Sequence, residues 1–307
     1  MNLRELEYLV AIDEERHFNR AAQRCFVSQP TLSGQLKKLE QQLGVQLVER
    51  NTRQVVMTDV GHAVAAQARR VLMEAKAVKE IAASFHDPLS GALQVGLIPT
   101  VAPYLLPVIM PTLREHFANL KLWLHEQQTK VLLEKLRHAE LDMMIQALPI
   151  ENHEFVEIDL YREPFWLLVH CDHELAQRSS ITVDDLEGRD MLLLEEGHCL
   201  REHTLDVCFK AGAREDNQFH ATSLETLRHM VGEGMGLSLL PELAVPKVLN
   251  QDENIRYIPF SGTVPIRRIG MLYRKESYRA KTFESLAEVI RQRMAEHFKE
   301  PLNRELG

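Results

Sequence analysis

Leu3, Leu6, Leu9 and Val10 recur at helical spacing, so the chain opens on an amphipathic helix. A short second helix follows in Phe18-Asn19-Arg20-Ala21-Ala22-Gln23-Arg24, whose alanines let another helix approach closely. Cys25-Phe26-Val27 makes the turn, and Ser28 then caps a third helix with Pro30 in its first turn, where a missing N–H costs little. Leu32, Leu36, Leu39 and Leu43 line the inward face of that helix. Gln29, Pro30, Thr31, Ser33 and Gln35 stand near its start, with Lys37 and Lys38 further along. Leu47 to Arg50 and Arg53 to Met57 read as a two-stranded wing. Helix, tight turn and a helix presenting short polar groups is the geometry of a helix-turn-helix. Short side chains at the helix start reach base edges, and Lys37, Arg50 and Arg53 suit phosphates or the minor groove.

Asp59 is expected to cap a helix running to about Phe85, roughly 40 Å long. Along it Val64, Ala68, Val71, Ala75, Val78 and Ala82 alternate at spacings of four and three, the seam of a coiled coil. The seam predicts dimerisation, against the plainer reading of one amphipathic helix packed on its own chain. His86-Asp87-Pro88-Leu89-Ser90-Gly91 breaks that helix. Beyond it short apolar strands at Leu93–Ile98, Leu120–Glu126 and Leu141–Ala147 alternate with helices at Tyr104–Phe117 and Thr129–His138. A second run has strands at Phe165–His170, Met191–Leu194, Phe219–Thr222, Leu237–Leu240 and Arg268–Tyr273, a helix capped by Ser223, and a closing helix at Tyr278–Phe298. The alternation predicts an α/β fold with a parallel sheet and two lobes. Three parts result: a winged helix-turn-helix over 1–58, a linker helix and hinge over 59–90, and a regulatory domain over 91–307.

Length and composition fit a multidomain globular chain of 307 residues, 45% hydrophobic and 26% charged. The charged residues near Met1 predict no export, and no apolar run predicts a membrane span, so a cytoplasmic protein is expected. Net charge is −8, split as +1 over 1–90 and −9 over 91–307, which makes the first third the better place for DNA. Four cysteines are too few for a disulfide framework. Two of them, Cys199 and Cys208, lie nine residues apart. If Leu200 to Lys210 is helical, with Leu205, Cys208 and Phe209 on one side, these cysteines are roughly 13 Å apart. A disulfide needs Cα atoms within about 7 Å, so bonding them requires the segment to refold. Taken alone, the spacing favours two cysteines packed separately.

The stretches His17-Phe18-Asn19-Arg20-Ala21-Ala22, Val27-Ser28-Gln29-Pro30-Thr31-Leu32-Ser33 and Leu43-Gly44-Val45 through Arg50 resemble the DNA-binding module of LysR-type transcriptional regulators. That resemblance implies a winged helix-turn-helix, a linker helix, and an effector domain of periplasmic-binding-protein type. It also implies operator DNA, dimers or tetramers of the chain, and RNA polymerase as partners. Gly96-Leu97-Ile98-Pro99-Thr100, Leu124-His125-Glu126, Gly197-His198-Cys199-Leu200-Arg201 and Ala221-Thr222-Ser223-Leu224-Glu225 are similar to the peroxide-sensing members of the family. This implies hydrogen peroxide as the signal, Cys199 as the oxidised thiol and Cys208 as its disulfide partner. It also implies reset by glutaredoxin or thioredoxin, and peroxide contacts at Thr100, Thr129, His198 and Arg267. Arg201 and His198 are the neighbours expected to stabilise a Cys199 thiolate, opposed by Glu195 and Glu196. The bland readings of the four contact residues are two helix caps, a loop histidine and a surface arginine.

Other readings compete with these. A family member that binds a metabolite between its lobes is one rival, and a thiol peroxidase is another, less favoured because of the N-terminal module. His170-Cys171-Asp172-His173 carries metal-capable groups but lacks paired zinc spacing, so neither metal nor cofactor is expected. His203, His220 and His229 read as surface or core.

Overall fold

The computed structural model describes residues 1–50, 55–84, 89–150, 154–247 and 253–299. The chain divides into two compact units, Met1–Asp87 and Pro88–Gly307.

In the first unit α1 (Leu3–Glu15), α2 (Phe18–Arg24) and α3 (Gln29–Leu43) pack on one another, followed by β1 (Val48–Arg50), β2 (Val55–Met57) and α4 (Asp59–Ser84). Leu6, Leu9, Ile12, Ala21, Leu32, Leu36, Leu39 and Leu47 form its core. Leu43, expected inside, is exposed at the end of α3, where Gly44 turns the chain with φ +70. β1 and β2 are antiparallel, with Val48 opposite Met57. The cap of α4 is Thr58 rather than Asp59: its hydroxyl accepts the Gly61 N–H at 2.9 Å and donates to Gln46 O at 2.8 Å. A Cβ on Gly61 would stand 2.0 Å from Leu47 O, so this helix start needs glycine to approach the wing.

The second unit contains β3 (Gly91–Leu97), α5 (Ala102–His116), β4 (Leu120–Glu126), α6 (Thr129–Arg137), β5 (Met143–Leu148) and β6 (Phe155–His170). It continues with β7 (Asp190–Leu194), α7 (Cys199–Ala211), β8 (Arg214–Ala221), α8 (Leu224–Gly232), β9 (Ser238–Pro241), β10 (Ile255–Pro259), β11 (Ile266–Arg274) and α9 (Ala280–His297). The sheet is mixed, which corrects the parallel expectation. β3 pairs in parallel with β4 and β5, but β11 runs antiparallel to β5 and β6, and β9 and β10 run antiparallel to β6. The order is β10-β6-β11-β5-β3-β4, with β9 also on β6; β7 and β8 form a separate parallel pair.

The sixteen-residue β6 makes the lobes. Its first part pairs with β11 inside a core of Leu93, Val95, Leu105, Ile145, Ile269 and Phe283. Its last part pairs with β9 and β10 inside a second core containing Leu167, Leu192, Leu200, Cys208, Leu224 and Leu239. One strand therefore crosses between two hydrophobic cores.

Candidate functional site

In the first unit the start of α3 is a surface of short polar groups. The Ser28 hydroxyl accepts the Thr31 N–H at 3.3 Å and lies 2.8 Å from Thr31 Oγ1. Leu32, Leu36 and Leu39 are fully buried, which turns the helix so that Pro30, Thr31 and Lys37 are exposed and Gln29, Ser33 and Gln35 half-buried. The Arg50 side chain and Arg53 lie outside the described residues. Arg69 of α4 grips α1 through Asp13 at 2.6 Å and Glu14 at 3.3 Å.

In the second unit a chemical site forms where α7 begins. Gly197 turns into the helix with φ +95, and a Cβ there would stand 2.7 Å from Gln128 Oε1. His198 is the N-cap residue, 6% exposed, with Nε2 at 3.4 Å from Gln128 Nε2 and 3.8 Å from Glu195 Oε1. Burial lowers its pKa, so the ring is neutral at pH 7. Cys199 is the first residue of α7, half-buried and packed against the first core, whereas Cys208 of the same helix is buried in the second. Both are free thiols. The helix observed over 199–211 keeps them roughly 13 Å apart.

Arg267 is buried, 2% exposed, unlike its neighbour Arg268, which pairs with Asp159 at the surface. It donates to Glu163 Oε1 at 2.7 Å, to Thr100 Oγ1 at 3.3 Å and to Thr100 O at 2.9 Å. Thr100 caps no helix, since α5 has Val101 at that position without a side-chain bond. Thr129 likewise stands inside α6, behind the cap residue Gln128. Its Oγ1 is buried, and the Cys199 sulfur is the acceptor it suits. Thr100 and Thr129 are thus not helix caps and Arg267 is not a surface arginine, whereas His198 does stand in the loop before α7, though buried there.

Burial pushes the Cys199 thiol up, and Thr129, Arg267 and the Ala147 backbone partly oppose that. Arg201 does not act there: it pairs with Glu215 at 2.5 Å and donates to Leu194 O at 3.1 Å. Burial and the nearby Glu215 push Cys208 up to about 11, so it is a neutral thiol at pH 7. Phe209, expected on the same side of the helix as Cys208, is 90% exposed. A buried cation, two hydroxyls and a neutral imidazole around one thiol can hold a small, uncharged, polar molecule and stabilise an oxygen anion as it departs.

Sequence reading passed over Glu163, which fixes Arg267 and also accepts the Leu243 N–H at 3.2 Å. It also set His203 aside, although the i, i+4 relation to Cys199 was visible. His203 Nδ1 is buried without a partner. Among the described residues one cluster of metal-capable groups forms, at His170, Cys171 and Asp172, with Asp172 exposed.

The chain matches the model described as bacterial regulatory helix-turn-helix protein, lysR family, over residues 3–62, and that of the LysR substrate binding domain over residues 86–295. It is 50% identical over 298 residues to the DNA-binding transcriptional dual regulator OxyR of Escherichia coli K12, covering 97% of each chain. It is 46% identical to a hydrogen peroxide-inducible genes activator of Haemophilus influenzae, covering 94% of this chain and 96% of that one. A solved full-length OxyR variant from Pseudomonas aeruginosa superposes with TM-score 0.75 at 40% identity, covering 95% of this chain and 98% of that one.

Proposed function

The chain belongs to the LysR family of bacterial helix-turn-helix regulators, and on that footing we propose that it is a peroxide-sensing transcriptional regulator of oxidative-stress genes rather than an enzyme. Cys199 sulfur attacks one peroxide oxygen, the O–O bond breaks, and the sulfur becomes a sulfenic acid while water departs. Thr100, Thr129, His198 and Arg267 hold the peroxide and stabilise the leaving oxygen. The Cys208 thiol then displaces the sulfenic hydroxyl as water and closes the disulfide. The observation that carries this reading is the placing of the two thiols on one helix but in different cores. A 199–208 disulfide cannot form on an intact α7, so oxidation must refold the segment.

In this reading Gln29, Pro30, Thr31, Ser33, Gln35, Lys37, Arg50 and Arg53 meet operator DNA. The chain works as a dimer or tetramer, RNA polymerase receives the signal, and glutaredoxin or thioredoxin reduces the disulfide. A cytoplasmic setting suits a transient disulfide. No described helix is long and apolar enough to cross a membrane.

Footprinting on an operator tests the reading. Peroxide should change the wild-type footprint, and Cys199→Ser should bind with one footprint in either condition. Cys208→Ser should accumulate sulfenate without an intramolecular disulfide. A peroxide-dependent footprint in Cys199→Ser would sink the reading. A wild-type footprint blind to peroxide but altered by a small acid would replace it with a metabolite-responsive regulator.

A further inference from the structure

His203 lies one helical turn beyond Cys199 on α7, and residues four apart on a helix have Cβ atoms about 5–6 Å apart. The Cα–Cβ bond tilts toward the helix N-terminus, so the imidazole leans over the turn that carries the thiol. The rest of α7 confirms which flank this is. Leu200, Thr204, Cys208 and Ala211 are buried, and Cys199 and His203 border that face together. Glu202, Asp206 and Phe209 on the far side are exposed.

Two further observations point to a proton-handling role. His203 Nδ1 is buried with no hydrogen-bond partner, an arrangement that costs free energy unless a bound molecule satisfies it. Arg267, the cation of the thiol site, acts on both Cys199 and His203. Burial first, and Arg267 second, lower the imidazole pKa; Asp206 and Glu202 of α7 pull weakly the other way. His203 is therefore a neutral base at pH 7, beside a thiol that burial holds in its protonated form. Such a thiol needs somewhere to send its proton as it attacks. Arg267, the cation acting on that thiol, has no lone pair to take it, and the neutral His198 ring turns its Nε2 to Gln128 and Glu195.

We infer that His203 is the proton carrier of the Cys199 step. As the sulfur–oxygen bond forms and the O–O bond breaks, the thiol proton passes to the imidazole, directly or through the bound peroxide. The imidazole then returns it to the departing hydroxide, which leaves as water. Sulfur loses two electrons, peroxide gains them, and His203 ends as it began. This inference rests on the peroxide-sensing reading above.

The test is the second-order rate of Cys199 sulfenate formation in full-length Cys208→Ser protein, measured between about pH 5 and 8. In that background His203→Gln should slow the reaction at least about tenfold and abolish the fall in rate on the acid side. His203→Ala should be equally slow and should recover with added imidazole, which leaves the His203-containing protein unaffected. A His203→Gln rate within about twofold of its parent, or an alanine variant that imidazole does not rescue, would overturn the inference. Either result with normal oxidation in the parent leaves the peroxide reading standing. No Cys199 oxidation in the parent would overturn both.

Discussion

Arg267 and Glu163 are a buried charge pair, 2% and 0% exposed, and neither can lose its partner cheaply. Replacing Arg267 with Met strands a carboxylate in the core and should cost about 3–5 kcal/mol in urea unfolding. Adding Glu163→Leu should recover much of that loss; a single-variant cost below about 1 kcal/mol would show the pair to be solvated. At Cys208 the thiol pKa is raised in the folded protein, so folding favours the neutral form. That contribution is fully present below about pH 9 and is lost as pH rises through about 11. The sign makes the reduced protein weaken in alkali, by about 2–3 kcal/mol from this group. Reduced wild type should therefore lose more stability than Cys208→Val between those pH values, and equal losses would contradict the assignment. Little of this was legible beforehand. Sequence cannot tell a buried Arg267 from a surface Arg268, because only tertiary packing separates adjacent positions on a strand.

The helix α7 is both the scaffold that keeps the thiols apart and the element that disulfide formation must open. Its stability should then set the redox equilibrium of the pair. Closing a loop of about ten residues constrains the unfolded chain by roughly 2–3 kcal/mol, a term of the same order as the helix and core contacts given up. Asp206 is exposed between the cysteines, so Asp206→Ala and Asp206→Gly remove the same carboxylate but differ in helix propensity by about 1 kcal/mol. The glycine variant should have the more negative reduction potential, by about 20 mV, as read by thiol–disulfide equilibration. Identical potentials would mean that α7 does not unwind. The helices were the most legible elements: α2 begins at Phe18 and α3 is capped by Ser28, as local chemistry demands. The start of β6 and all of β10 were missed, and the sheet was expected to be parallel. Alternating strands and helices describe β3, β4 and β5 well. The direction of β6 and β11 is instead set by pairing between residues more than a hundred positions apart, such as Arg267 and Glu163.

In the proposed regulator the chain pairs with copies of itself, and α4 is the element proposed to carry that contact. Val64 and Ala68 of its seam pack on the first unit's own core, which explains a third of the apolar pattern without a partner. Val71 and Val78 are 37% and 67% exposed, so in that proposal they are the valines that meet a second chain. Val78→Asp should convert a sedimenting dimer or tetramer toward smaller species and weaken operator binding, since each half-site then holds one recognition helix alone. An unchanged sedimentation profile would move self-association elsewhere. The claim on which all else depends is that peroxide opens α7. Hydrogen exchange of the amides across 199–211, read on the same samples in which the 199–208 disulfide is mapped, measures this directly. Reduced protein should protect these amides, and oxidised protein should exchange them at rates approaching those of a loop. A mapped 199–208 disulfide with helical protection retained would contradict the refolding mechanism.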